Sequence, residues 1–180
     1  MKKSLKELLR EVNDYDWGEV PDYRNDPPSF STEYEKVAPI VFRKVLKELG
    51  IKLSGSILDL ACGPVSLGCL HRNTVGFDIK PSYIKRLCQR GIKGIIGDIR
   101  DLPFEDNSFD YVIGIGIPWK FLLEQPNGVS EFIDRCIAIA RKKVILLIIS
   151  GILNDDFLLK HYRKIERLDN FLVCNVAKKS

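Results

Sequence analysis

The stretch 56–78 constrains the fold of this chain more than any other part of the sequence. A short apolar run at 57–60 leads into the small-residue turn Ala-Cys-Gly-Pro at 61–64. A second apolar run, at 74–77, ends on the carboxylate of Asp78. This succession of strand, tight turn, short helix, strand and acid is typical of the nucleoside pocket of a doubly wound α/β sheet.

Two carboxylates give this stretch its chemistry. Asp78, at the end of the second run, can accept hydrogen bonds from both hydroxyls of a ribose, and a hydrogen bond to a charged group contributes about 1.5–3 kcal/mol. Asp59 interrupts the first run, where a buried carboxylate is costly unless a partner compensates it. The small residues between the two strands let the backbone approach a ligand closely. The stretch therefore predicts a nucleoside-containing ligand without saying which one.

Length and composition indicate one globular domain spanning 1–180, with an N-terminal cap of helices and loop at 1–50 and a core at 51–180. The longest apolar run, 144–149, is far shorter than the ~18 residues of a membrane span. The first residues alternate charge with leucine, unlike a signal peptide. The sequence thus predicts a cytoplasmic protein without a membrane partner, and it does not predict the oligomeric state.

The cysteines favour neither a disulfide framework nor a structural metal site. Five of them lie at positions 62, 69, 88, 136 and 174, and none forms a Cys-x-x-Cys pair. Cys69 and His71 are close in sequence, but two ligands do not make a site, so no metal is predicted. A net charge of +4 permits a nucleic-acid partner without arguing for one.

Apolar periodicity predicts β and α elements in alternation. Two helices are expected ahead of the first strand, separated by a loop rich in proline and aromatic residues. Later helices are expected at 82–90, 129–141 and 155–159, later strands at 94–97, 111–115 and 143–149, and a terminal hairpin at 162–168 and 171–178. Such alternation indicates a mostly parallel sheet covered on both faces.

Three motifs make the chain resemble the class I S-adenosylmethionine (SAM)-dependent methyltransferases, specifically their type-11, UbiE-like group. LDLACGP resembles the glycine-rich first motif of that family, and VGFD resembles its acidic second-strand motif. GDIRDLPFEDNSFDYVI resembles the type-11 pattern around the third and fourth strands, which a dehydrogenase has no reason to contain. The resemblance implies a Rossmann-like α/β fold, with helices on both faces of a seven-stranded sheet in the order 3-2-1-4-5-7-6 and strand 7 antiparallel.

The same resemblance implies SAM as cofactor and assigns residues to its methionine and ribose parts. Asp59 and the backbone of Ala61 and Gly63 would hold the methionine part. Asp78 would accept from the ribose hydroxyls, and Ile79 would lie against one face of the adenine.

Three further residues receive roles at the adenine and methyl ends from this resemblance. Asp98 would accept a hydrogen bond from the adenine amino group, and Ile99 would lie near the ring. Ile115, just past the fourth strand, would border the transferred methyl group.

Two departures from the family pattern concern the turn. Ala61 and Val65 stand where glycines are usual, and the side chain of Val65 is expected to narrow the carboxylate end of the pocket. Asp78 lies only 19 positions after Asp59, roughly one helical turn fewer than usual, so the helix between them should be very short.

The methyl acceptor is not identified by the sequence, and neither is a catalytic acid or base. Trp17, Tyr34 and Trp119 are candidate substrate contacts. The Pro118-Trp119 pair either forms an apolar wall for a substrate or begins a helix with a buried indole. The Asn-Pro-Pro-Tyr signature of base N-methylation is absent after the fourth strand, where Gly-Ile-Pro-Trp stands instead.

The sequence is compatible with three hypotheses about function. The first is a SAM-dependent methyltransferase of undetermined acceptor, a small molecule being favoured over RNA or protein. The second is a non-catalytic, methyltransferase-like partner subunit, supported only by Val65 and the shortened helix. The third, a nicotinamide-dependent dehydrogenase, is disfavoured because the turn lacks the full Gly-x-Gly-x-x-Gly pattern.

Overall fold

The computed structural model describes residues 2–13, 32–147, 165–168 and 171–175. Its helices are α1 (Leu5–Asn13), α2 (Thr32–Glu48), α3 (Pro81–Gln89), α4 (Trp119–Leu123) and α5 (Gly128–Ile139). Its strands are β1 (Ile57–Leu60), β2 (Thr74–Asp78), β3 (Lys93–Ile96), β4 (Phe109–Gly114), β5 (Ala140–Leu147), β6 (Ile165–Leu168) and β7 (Phe171–Asn175). None of the helices in these ranges is long and apolar enough to cross a membrane.

The strands form one sheet in the order β3-β2-β1-β4-β5-β7-β6. β1 lies at its centre and pairs in parallel with both neighbours, Ile57 facing Thr74 on β2 and Tyr111 on β4. β3 and β5 continue the parallel arrangement outward, whereas β7 runs antiparallel to β5 and to β6. The predicted parallel sheet of alternating β and α elements is confirmed for β1 to β5.

Alternating side chains of the central strands supply two hydrophobic clusters, one on each face of the sheet. Leu58 on β1 belongs to a cluster that also contains residues of α1, α3 and α5. Ile57 and Ile113 belong to the other, which α2 covers with Ala38, Phe42 and Leu46. These three residues of α2 are four positions apart, so they form one stripe along the helix. Helices therefore pack on both faces.

The described elements lie close to their predicted positions. The helix predicted at 82–90 spans Pro81–Gln89, with the proline at its first turn. The very short helix expected after the first turn is a single 3-10 turn, Leu67–Cys69, which confirms that expectation. The predicted loop at 15–32, apart from its last residue, and the helical piece at 155–159 fall outside the described residues.

A buried carboxylate organises the turn that follows β1. Asp59 is only 4% exposed, and its Oδ2 accepts hydrogen bonds at 2.7 Å from the Ser66 hydroxyl and from the Leu67 N–H. The Ser66 hydroxyl in turn accepts from the Gly68 N–H at 3.1 Å and caps the 3-10 turn. Burial raises the pKa of Asp59 to about 7, although both of its hydrogen bonds act in the opposite direction.

This raised pKa predicts that stability falls as pH rises. An unfolded Asp59 loses its proton near pH 3.8, whereas the folded residue keeps it until about pH 7. Between these values the folded state binds more protons, so the free energy of unfolding declines with rising pH and this contribution is constant above the window. Urea unfolding from pH 4.5 to 8.5 should show this decline in the wild type and a shallower one in Asp59→Asn.

Some slope should remain in Asp59→Asn, because burial also raises the pKa of Asp78. Asp134→Asn, at an exposed site on α5, serves as control and should follow the wild-type profile. If the free energy of unfolding depended on pH in the same way in the wild type and in Asp59→Asn, the raised pKa of Asp59 would be contradicted.

Candidate functional site

A cavity of about 420 Å³ opens at the carboxyl edge of the sheet. It lies where β1 and β4 are neighbours but their connections leave in opposite directions, the first to β2 and the second to β5. This switch point is where open α/β sheets bind ligands. The residues that line the cavity are Ala61, Gly63, Asp78, Ile79, Lys80, Tyr83, Asp98, Ile99, Arg100, Gly116, Pro118 and Phe121.

Asp78 is the buried charged group of this cavity, with 7% of its surface exposed. Its Oδ2 accepts from the Gly63 N–H and its Oδ1 from the Lys80 N–H, both at 3.0 Å. Burial raises the pKa of Asp78, and the two N–H donors oppose that rise. Because a carboxylate has about four acceptor sites, two such bonds leave capacity for hydroxyl donors from a ligand.

The turn after β1 forms one side of the cavity with backbone in unusual conformations. Ala61 and Gly63 have φ angles of 48° and 61°, in the left-handed region. That region costs an L-residue roughly 1–2 kcal/mol and costs glycine little. A Cβ at Gly116 would lie 3.2 Å from the Ala61 carbonyl oxygen, so a small residue at 116 lets the loop after β4 approach this turn.

A second acid lines the cavity where the chain leaves β3. The Asp98 carboxylate accepts from Arg100 Nε at 2.9–3.0 Å, from Arg100 Nη2, and from the Arg100 backbone N–H at 2.9 Å. These hydrogen bonds and the charge of Arg100 lower the pKa of Asp98. Apolar side chains accompany the two acids here, since Ile99 is buried and Ile79 is 58% exposed.

Six of the residues expected to bind a cofactor therefore line one cavity, and two do not. The six are Ala61, Gly63, Asp78, Ile79, Asp98 and Ile99. Asp59 lies beneath the turn with its carboxylate directed to Ser66 and Leu67. Ile115 is half-buried and packs against the cluster covered by α2. Trp17 and the side chain of Tyr34 are outside the described residues.

The expectation that Trp119 could form a substrate wall is wrong. Its side chain is 1% exposed, its Nε1–H donates to the Leu147 carbonyl at 2.9 Å, and its ring packs edge-on against Phe132. The alternative, a helix start with a buried indole, is confirmed by α4. Phe121, two residues further on, is 52% exposed and lines the cavity instead.

The expected narrowing by Val65 is also wrong. This side chain is 1% exposed and belongs to the hydrophobic cluster beneath α2, together with Phe42 and Leu67. Because it turns toward that cluster, its extra volume relative to glycine is taken up by core packing. The departure from the family pattern at this position leaves the described cavity open.

Sequence reasoning missed Lys80, Tyr83, Arg100, Gly116 and Phe121 as lining residues. The sequence does contain a repeated pattern that includes Lys80 and Arg100. In both places an acid near the end of a strand is followed by isoleucine and then by a basic residue. In both repeats the acid accepts a hydrogen bond from the N–H of the basic residue, at 3.0 Å for Lys80 and 2.9 Å for Arg100. This local turn, favoured by aspartate, brings both basic residues to the cavity. Lys80 Nζ there donates to the Tyr83 hydroxyl at 3.1 Å.

Comparison with known sequences finds similarity to methyltransferases in the central part of the chain. Residues 58–141 match a family model described as a methyltransferase domain. A demethylmenaquinone methyltransferase of Staphylococcus aureus (strain MRSA252) is 33% identical over 88 residues, which cover 42% of this chain and 36% of that protein. The corresponding Staphylococcus haemolyticus (strain JCSC1435) protein is 32% identical over 111 residues, covering 49% and 46%. The chain thus matches less than half the length of these curated relatives.

Solved structures share the fold over most of the chain. The PH0226 protein of Pyrococcus horikoshii OT3 aligns with a TM-score of 0.55 and 24% identity, covering 87% of this chain and 84% of its own. Magnesium protoporphyrin IX methyltransferase of Synechocystis PCC 6803, solved with bound SAM, aligns with a TM-score of 0.57 and 17% identity, covering 81% and 80%. Residues 58–141 therefore resemble a methyltransferase domain, and these solved structures share the fold of the chain.

Proposed function

We propose that this chain transfers a methyl group from SAM to a small-molecule acceptor and that the 420 Å³ cavity is its SAM site. The observation on which this proposal rests is the buried Asp78 carboxylate at the switch point of the sheet, held by two backbone N–H groups and lining the cavity. A buried carboxylate with unused acceptor capacity suits the two hydroxyls of a ribose.

The remaining lining residues suit the rest of the cofactor. Asp98, whose carboxylate also accepts from Arg100, would share it with the adenine amino group, and Ile79 and Ile99 offer apolar surface for the ring. The left-handed backbone at Ala61 and Gly63 would approach the methionine part. The cavity volume is within the usual range for pockets that bind small molecules, about 300–1,000 Å³.

At the other end of the cavity, past β4, the lining consists of Gly116, Pro118 and Phe121. SAM, when bound, supplies a methyl group on a sulfonium whose departure leaves a neutral thioether, so it needs no further activation. The task left to this end is to orient the acceptor and to exclude water, and such alignment lowers a barrier by up to about 7–11 kcal/mol. None of these three described residues is a titratable base.

The same residues favour an apolar acceptor. Pro118 and Phe121 are exposed at the cavity, and both can bury apolar surface against a ligand. The matching relatives are named for demethylmenaquinone, and a structural neighbour is named for magnesium protoporphyrin IX. Both named molecules are small compared with RNA or protein, which supports a small-molecule acceptor for this chain.

Asp78→Asn tests the cofactor site. The amide nitrogen cannot accept a hydrogen bond and the negative charge is lost, so one charged hydrogen bond worth about 1.5–3 kcal/mol disappears. Isothermal calorimetry should therefore show a dissociation constant for SAM and for S-adenosylhomocysteine about 10- to 100-fold higher than in the wild type. Asp134→Asn, an equal change at an exposed position on α5, should bind like the wild type.

A wild-type chain that gives no binding heat with either compound would refute the proposed function and favour the non-catalytic partner reading. Protection against thermal unfolding by NAD, without protection by SAM, would favour the dehydrogenase reading instead.

Phe121→Ala tests the acceptor end. Cell extract is incubated with enzyme and methyl-tritiated SAM, and label is counted in the organic-solvent extract, RNA and protein. Label should enter the organic extract. With that fraction as substrate, the kcat/KM of Phe121→Ala should be about tenfold lower than that of the wild type, because burying a phenylalanine side chain contributes about 1.5–3 kcal/mol. The dissociation constant for S-adenosylhomocysteine should stay within about threefold.

Leu123→Ala is the matched control for Phe121→Ala. Leu123 is 50% exposed on the same helix as Phe121, yet it is not one of the lining residues. Transfer of label to RNA, with binding that falls steeply as salt rises, would replace the small-molecule acceptor by RNA. Equal activities for Phe121→Ala and the wild type would remove Phe121 from the acceptor end.

A further inference from the structure

The loop after β3 presents Asp98 and Ile99 to the cavity, but a second cavity lies behind it. This second cavity, of about 300 Å³, separates part of the loop from α5. Its walls include Ile99, Arg100, Leu102 and Pro103 on the loop side and Phe132 and Arg135 on the side of α5. Ile99 and Arg100 line both cavities and form the partition between them. Leu102 and Phe104 bury their side chains in the core, whereas the exposed residues Arg100 and Asp101 border the second cavity.

One guanidinium from α5 holds the loop across this gap. Arg135 donates from Nε to the Leu102 carbonyl at 3.3 Å, from Nη2 to the Phe104 carbonyl, and from Nη1 to Asp106 Oδ1 at 2.5 Å. The three acceptors lie within five consecutive residues. A planar guanidinium has five N–H donors in a fixed arrangement, so it can hold several acceptors of one loop in a single geometry.

The N-terminal segment holds the same loop from another side. The Lys3 N–H donates to the Pro103 carbonyl at 2.6 Å, and Lys3 forms an isolated parallel bridge with Phe104. Lys2 Nζ donates to Asp106 Oδ1 at 2.6 Å, the same oxygen that Arg135 contacts. Polar contacts from α5 and from the N-terminal segment thus add to the burial of Leu102 and Phe104 in fixing the part of the loop that follows Arg100.

We propose that Arg135 is a positioning residue for adenine recognition. It does not line the cofactor cavity among the residues that the structure describes there. By holding the carbonyls of Leu102 and Phe104, Arg135 would fix the position of Asp98 and Ile99 relative to the adenine ring. This inference rests on the proposed SAM site, and it adds a residue on α5 to the determinants of nucleobase specificity.

The physical reason is the directionality of the hydrogen bond that Asp98 would make. Leu102 is four residues from Asp98, so freeing its carbonyl would let the backbone between these two residues shift toward the second cavity while the Leu102 side chain stays in the core. A hydrogen bond weakens steeply when its distance or angle departs from the optimum. A displacement of about 1 Å would weaken selection for the amino group while leaving the Asp78 end of the site unchanged.

The test compares S-adenosylhomocysteine with S-inosylhomocysteine, in which a carbonyl oxygen replaces the adenine amino group. Calorimetry on the full chain gives the ratio of the two dissociation constants. In the wild type the inosyl compound should bind about 10- to 100-fold more weakly, because the Asp98 carboxylate loses its donor. In Arg135→Gln this ratio should fall at least about threefold. A purely structural role for Arg135 would weaken both compounds equally and leave the ratio unchanged.

Arg141→Gln is the matched control. Arg141 donates to Asp110 Oδ1 at 3.3 Å, to the Asn107 carbonyl at 2.9 Å and to the Ser56 hydroxyl at 2.9 Å. The variant Arg141→Gln therefore loses as many hydrogen bonds as Arg135→Gln does, but at the amino edge of the sheet, away from the cavity. Its ratio should equal that of the wild type, and thermal unfolding of both variants shows that each is folded at the assay temperature.

A second variant keeps the test decisive should Arg135→Gln fail to fold. Asp106→Asn changes a half-exposed residue and weakens a single contact of Arg135, so the ratio should fall in the same direction by a smaller factor. Equal ratios in the wild type and in the variant that folds would overturn the proposal, as would a wild-type ratio near one. Absence of S-adenosylhomocysteine binding to the wild type would instead refute the proposed function.

Discussion

Two backbone N–H groups hold the buried Asp78 carboxylate, and the rest of the pocket depends on this contact. The Gly63 N–H belongs to the turn after β1 and the Lys80 N–H to the segment that begins α3. Together they compensate part of the cost of burying a charge and fix the ends of two neighbouring strands relative to each other. With that distance fixed, the backbone at Gly63 lies beside the acid on one cavity wall.

Asp59 and Asp78 lie on adjacent central strands and have different roles. Asp59 stabilises a turn, and Asp78 is the proposed ligand contact. Asp59 directs its carboxylate inward and shapes the turn through Ser66 and Leu67, whereas Asp78 lines the cavity. Burial raises the pKa of both, and the charge of Asp78 raises that of Asp59 further. A neutral Asp59 therefore lowers the repulsion between the two acids, which would leave Asp78 as the charged partner for a ligand.

The central strands could be predicted from local signals, and the six lining residues mostly from the resemblance of their motifs to the methyltransferase family. Apolar runs ending on an acid, as at Asp78 and Asp98, fix both the strand and the edge at which it ends. Trp119 and Phe121 could not be assigned correctly, because the rotation of a five-residue helix decides which ring is buried. Val65 is similar, since the backbone angles of the turn direct its side chain toward α2, and sequence spacing does not reveal those angles.

The partition formed by Ile99 and Arg100 has a consequence for the size of ligand that the proposed SAM site would accept. It is a single layer of side chains between the two cavities. Shortening Arg100 would thin this layer and widen the first cavity toward the second. Bulky substituents on the purine would then have room that the native partition denies them. In the proposed SAM site, such a change would make room for enlarged cofactor analogues while removing the Arg100 side-chain contacts to Asp98.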